Sequence, residues 1–199
     1  AHRLRALLRR FRGDGHGVAA IEFALILPIL IILTLGCFEV PRYVLLWQRL
    51  ERAASGVSDL VAQADEPLTA NQMTDIFSAA KIMMQPYAIF TDGTIIVTSI
   101  NNPSKGAGVQ NTWRAQCGIN NASNQSQLGS VGGTPTNLPS QLNPATDNEV
   151  LVTEIYYQFT PVFRTFIYKG SNLYAVAYTR PRNHNLMTPP DKTTSVRCP

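Results

Sequence analysis

Val18–Phe38 reads VAAIEFALILPILIILTLGCF. These 21 residues hold one charge, Glu22. About 20 apolar residues in a helix cross the hydrocarbon core of a bilayer, so the stretch predicts a transmembrane helix. A secretory signal peptide is the rival reading. Its apolar core is shorter, about 7–15 residues, and a small-residue cleavage site follows it. Here the run is longer and Glu39, Pro41 and Arg42 come next. Pro28 removes one ladder hydrogen bond from the span, which membrane helices tolerate.

Upstream, residues 1–17 carry Arg3, Arg5, Arg9, Arg10 and Arg12 against Asp14 alone, so the whole net charge of +4 lies there. Cytoplasmic flanks of membrane spans hold the excess of Lys and Arg. The pattern predicts a cytoplasmic N-terminus and a C-terminal domain on the far side. The rest of the chain is charge-balanced, and the basic patch that nucleic-acid binding needs is not visible in it, so no nucleic-acid partner is expected. A charge inside a span is costly and marks function. Glu22 either reaches the headgroups or pairs with something buried beside it.

Residues 17–23 read Gly-Val-Ala-Ala-Ile-Glu-Phe, a glycine before an apolar helix with glutamate fifth and an aromatic sixth. A short basic stretch precedes it. The segment resembles the cleavage site of type IV prepilins. The wider stretch RRFRGDGHGVAAIEFALILPIL, with Phe38-Glu39 and Arg42-Tyr43 after it, is similar to the TadE-like family of tight-adherence (Flp-type) pilus systems. The likeness is closest over residues 9–47; beyond them only the architecture is shared. The resemblance implies a minor or accessory pilin of the bacterial inner membrane, with roles in adhesion and biofilm formation and not necessarily abundant in a fibre. It implies cleavage between Gly17 and Val18 by a prepilin peptidase. It also implies that Glu22, with Phe23 beside it, meets the new amine of a neighbouring subunit's Val18. The partners implied are the membrane, other pilus subunits, the inner-membrane assembly machinery and the prepilin peptidase. The alternative is a membrane-anchored periplasmic domain that binds a ligand or glycan.

The helix is expected to continue to about Ala64. Leu46, Trp47, Leu50, Ala53, Ala54, Val57, Leu60, Val61 and Ala64 recur at helical spacing, with Gln48, Arg49, Glu51, Arg52, Ser55, Ser58 and Asp59 opposite. Pro41 and Gly56 weaken that run, and Tyr43 and Trp47 are candidates for an interfacial belt. Asp65-Glu66-Pro67 predicts a break. Thr69 with Gln72 then forms a capping box for a second helix, which ends at Gln85 before Pro86. Strands are expected at Thr94–Ile100, Gly108–Gln116, Glu149–Thr160 and Asn172–Arg180. On the third, Leu151, Ile155, Tyr157 and Phe159 share a face. On the fourth, Tyr174, Val176 and Tyr178 oppose Leu173, Ala175 and Ala177. Residues 117–148, rich in Asn, Gln, Ser, Gly, Thr and Pro, read as a long surface loop. Pro161–Lys169 is aromatic and reads as a short helix or covering loop; the tail from Pro181 reads as irregular. The expected class is α+β: a long membrane-spanning helix, a second helix and an antiparallel sheet of about four strands. The expected domains are a leader 1–17, a span 18–38, a helical extension 39–64 and an extracytoplasmic domain 65–199.

No catalytic constellation is visible. The histidines are His2, His16 and His184, too scattered to hold a metal. Phosphate-loop, dinucleotide and nucleophile-elbow motifs are missing. Asp147, Glu149 and Glu154 lie close in sequence, but a solvated loop and strand face explains them better than a carboxylate pair. No enzyme activity and no cofactor are expected. Outside the cytoplasm Cys117 and Cys198 can form a disulfide; otherwise they are free thiols. The bond is the expectation, with Cys37 left unpaired in the apolar run.

Overall fold

The structure is a computed structural model, which describes residues 16–64, 68–102, 108–145, 148–163, 170–182 and 198–199. Residues 1–15 of the leader, Asp65-Glu66-Pro67, residues 103–107, 146–147 and 164–169 and the tail 183–197 lie outside the described residues. The class is as expected, α+β. Helix α1 spans His16–Ala62, α2 Ala70–Met84 and the single turn α3 Ile89–Asp92. Strands follow at β1 Gly93–Asn101, β2 Gln110–Gly118, β3 Glu149–Phe159 and β4 Ser171–Thr179. They form one antiparallel sheet in the order β2-β1-β3-β4.

The chain divides into two compact units. One holds the chain up to Arg42 together with Pro161–Lys169; the other holds Tyr43–Thr160 and Gly170–Pro199. Helix α1 runs unbroken through Pro28 and Pro41. In the first unit its side chains from Val18 to Leu33 are exposed. Thr34 returns its hydroxyl to the Leu30 carbonyl, four residues back, at 2.7 Å.

In the second unit, Leu46, Leu50, Ala53, Ala54, Val57 and Val61 are fully buried. They join Met73, Phe77, Ala80 and Met84 of α2 against one face of the sheet, where Ile95, Val97, Ala115, Trp113, Leu151, Ile155, Tyr157, Phe159, Leu173 and Ala175 lie. Period-2 alternation supplies this face on every strand. Three residues depart from the expected helix faces. Leu60 is 37% exposed, and Ser58, expected among the polar residues, is buried and donates to the Thr179 hydroxyl at 2.7 Å. Trp47 also faces outward, while Tyr43 stacks edge-on against Phe159 with centroids 5.4 Å apart. Gly56 is not a weak point. A Cβ there would lie 3.0 Å from the Met83 sulfur, so the glycine lets α1 and α2 approach closely. The Arg182 amide meets the last α1 carbonyl, that of Ala62, at 3.2 Å.

Local signals set α2. Thr69 and Gln72 exchange side-chain and backbone hydrogen bonds in a full capping box. The segment 119–145 departs further from expectation. It contains two short 3₁₀ turns, Ala122–Asn124 and Ser140–Leu142. It lies on the sheet face opposite the helices, where Leu128 joins Ile100, Val150 and Val152 in a second apolar cluster. The "surface loop" is a cover that makes the sheet a middle layer.

Cys117 and Cys198 are joined in a disulfide across 81 positions, while Cys37 is free and exposed. One residue beyond Cys117, Gly118 has φ +117°, and a Cβ there would lie 2.3 Å from the Gly93 carbonyl oxygen. Two outcomes follow. Alkylation without reductant should label Cys37 alone in the intact mass, and Cys198→Ser should lower stability by roughly 4 kcal/mol on the chain-entropy model. Gly118→Ala should be at least as damaging to the thermal midpoint as to helix content, because the strain sits where β1 and β2 meet; an unchanged midpoint would refute that.

Candidate functional site

The first half of α1 is the candidate site. Its apolar character comes from Val, Ile, Leu and Phe on all sides of the helix, so no stripe is reserved for a protein core. Ile21, Phe23 and Leu25 are 65%, 58% and 71% exposed. Among the described residues it is the one helix long and apolar enough to cross a membrane. At a rise of 1.5 Å per residue, the 21 residues Val18–Phe38 span about 31 Å, close to the hydrocarbon thickness.

Glu22 is exposed on this surface, with Gly17, Val18 and Phe23 within the same two turns. No hydrogen bond or ion pair reaches Glu22 among the described residues. Nothing lies within 4 Å of a Cβ placed on Gly17, so its backbone is accessible from outside. The structure therefore puts the sequence-identified residues on one open stretch of helix.

Two other carboxylates contrast with Glu22. Glu154, expected on a solvated face, is 1% exposed. It sits on the face of β3 beneath the cover. It accepts from the Ser126 hydroxyl, from the Gln127 amide at 2.9 Å and from the Tyr174 hydroxyl at 3.1 Å. Arg114 on β2 joins the same cluster, donating to Thr98 at 3.0 Å, Ser126 at 2.9 Å and the Gly129 carbonyl at 2.8 Å. Burial, with the Glu154 charge, pushes the Tyr156 phenol up to about 12 and that of Tyr174 further. These hydrogen bonds fasten residues 126–129 to the sheet. Glu39, the second, is 6% exposed at the end of the apolar run and bonded to Arg42 at 3.2 Å. Sequence reading quoted Glu39 within the motif but gave it no role. The signal available was the i,i+3 spacing of Glu39 and Arg42.

Glu149 is different again. It is partly buried and accepts from the Ser99 hydroxyl. Burial pushes its carboxyl up to about 7, with the Ser99 hydrogen bond working against that. Asp147 lies outside the described residues. Among the described residues no group of three His, Cys, Asp or Glu could hold a metal ion.

Two stability outcomes follow. Glu154→Ala should cost on the order of 3–5 kcal/mol, because it strands three donors and the half-buried Arg114 charge. Limited proteolysis should then cut within 119–145 well before the rest of the domain. Glu149 binds its proton more tightly folded than unfolded, so its contribution is present near pH 4.5 and lost as the pH rises through about 7. Between those limits the wild type should lose on the order of 1–2 kcal/mol relative to Glu149→Gln in denaturant titrations. Parallel curves for the two proteins would count against the buried acid.

No curated protein and no solved structure matches the chain. A family model described as TadE-like protein matches residues 17–58, from the glycine before the apolar run through the buried part of α1. Over that helix, and only there, the chain is similar to the TadE-like family.

Proposed function

We propose that the chain is a pilin-like subunit, a minor pilin or assembly component, of a tight-adherence pilus. The observation that carries this reading is Glu22: an ionisable group on an all-apolar helix, inside the TadE-like match, with no partner among the described residues. A plain anchor has no use for such a charge. A helix that packs against copies of itself or its relatives does. In this proposal a prepilin peptidase cuts after Gly17. Glycine gives that peptidase an unobstructed backbone. The new Val18 amine of one subunit then pairs with Glu22 of the next. A carboxylate and an ammonium together in low dielectric cost far less than either alone. Phe23 and the surrounding Ile and Leu side chains supply the contact area.

The same reading places the protein in the bacterial inner membrane with one span, its N-terminus in the cytoplasm and the sheet domain in the periplasm. The Cys117–Cys198 bond is consistent with that oxidising compartment. The protein works as a structural subunit, binding other pilus subunits and the assembly machinery without chemistry of its own.

Glu22→Ala tests it. Removing a charge from a span should leave insertion as good or better. If Glu22 pairs with a neighbour's amine, the partner loses about 3–5 kcal/mol. That lowers association a hundredfold or more. Membrane levels should stay normal, while co-purification with pilus components and surface piliation are lost. N-terminal sequencing of the membrane-extracted protein should begin at Val18. Unchanged piliation in Glu22→Ala cells would favour an anchored ligand-binding domain instead.

A further inference from the structure

Glu39 stands one residue past the apolar run, where a helix leaving the bilayer first meets water. Its carboxylate does not face out. One oxygen accepts the backbone amides of Val162 at 2.6 Å and Phe163 at 3.1 Å, and the other takes the Arg42 guanidinium at 3.2 Å. Pro161–Phe163, the start of the β3–β4 connection, is thereby clipped to the helix at the level of Glu39. The clip turns polar groups inward and leaves apolar ones outside: Val162 is 65% exposed, and Phe38 and Val40 on either side of Glu39 are 65% and 62% exposed. Glu39 is also the one acid in the sequence between Glu22 and Glu51. The surface beyond the span therefore continues it in character.

We propose that the turn Pro161–Phe163 is a membrane-interface element. Val162 seats at the headgroup–acyl boundary of the leaflet on the sheet-domain side, and Glu39 holds it there. This rests on the reading of α1 as a membrane span. The occupant is lipid because the exposed patch is continuous with the apolar run. Two turn amides and one carboxylate would otherwise each need water at that depth. Saturating one another, they let the backbone of a non-helical segment sit at the boundary. Glu39 is a positioning residue for the turn and does not itself contact lipid.

Single-probe quenching in vesicles tests the proposal. The full chain carries Cys37→Ala, with its disulfide intact. An environment-sensitive fluorophore is placed at Val162→Cys, at Leu30→Cys in the span, or at Asn120→Cys, an exposed position of the cover. The vesicles are phosphatidylcholine–phosphatidylglycerol at high lipid-to-protein ratio, with spin-labelled lipids quenching at the headgroup or deep in the chains. Leu30 should be quenched by the deep label. Val162 should be quenched by the shallow label at least threefold more than Asn120. Adding Glu39→Ala should bring Val162 down to the Asn120 level with Leu30 unchanged. Glu39→Gln keeps an acceptor for the turn amides and should retain part of the effect. Should Glu39→Ala not accumulate, the Val162 and Asn120 comparison decides alone. Quenching at Leu30 with none at Val162 overturns the proposal and leaves the span intact. No quenching at Leu30 overturns both. A Val162 probe that becomes shielded only at high protein density shows that a second copy covers the turn, which also overturns it.

Discussion

Everything in the sheet domain leans on one contact, the burial of the second half of α1 against the sheet. Leu46, Leu50, Val57 and Val61 are large side chains with no exposed surface, and Ala53 and Ala54 between them keep the helix close. Fully burying a Leu or Val contributes about 1.5–3 kcal/mol, so four of them outweigh any polar contact on that face. The helix is in turn held to α2 by the approach at Gly56 and Met83. A larger residue at 56 would have to displace the end of the Met83 side chain, whose sulfur and methyl lie 3.0 and 3.1 Å from a Cβ there.

How much of this was legible depends on the range of each interaction. The capping box of α2 lies within four residues, and the strand faces repeat every two, so both are written locally. The inward faces of β3 and β4 emerged from alternation alone. Glu154 was misread because alternation places it on the face away from the helices, and a polar residue there implies water. The sheet has no water on either side at that point. The cover that encloses it is held by Leu128, with Leu138 packed beside it, in a stretch rich in Asn, Ser and Gly, and by side chains drawn from β1, β2 and β4. No periodic pattern records such an arrangement. Ser58 was misread for the same reason, since its partner Thr179 lies 121 positions away.

The candidate membrane helix was more legible than the domain. A span is recognised from length and composition, because lipid demands that every backbone group be satisfied within the segment. The proline at 41 did not end the helix, although proline removes a ladder bond. What sequence could not say was which carboxylates near the span have partners. That is a property of tertiary contacts, and it is where the structure adds most.

Set side by side, Glu154, Glu39 and Glu22 make a single argument. Each lies in apolar surroundings, where an unpaired charge costs several kcal/mol. Glu154 is met by three donors and Glu39 by two amides and a guanidinium, all from the same chain. The fold thus supplies partners to a carboxylate wherever it encloses one. Glu22 lies on the open helix, with no hydrogen bond or ion pair among the described residues. Either its partner is the headgroup layer, or it comes from another molecule. A headgroup partner requires only a position near the end of the span and would serve equally well with the charge shifted or lost. A partner subunit requires the charge at one position and one depth. Its placement five residues after Gly17, at the opening of the TadE-like segment, fits the second requirement.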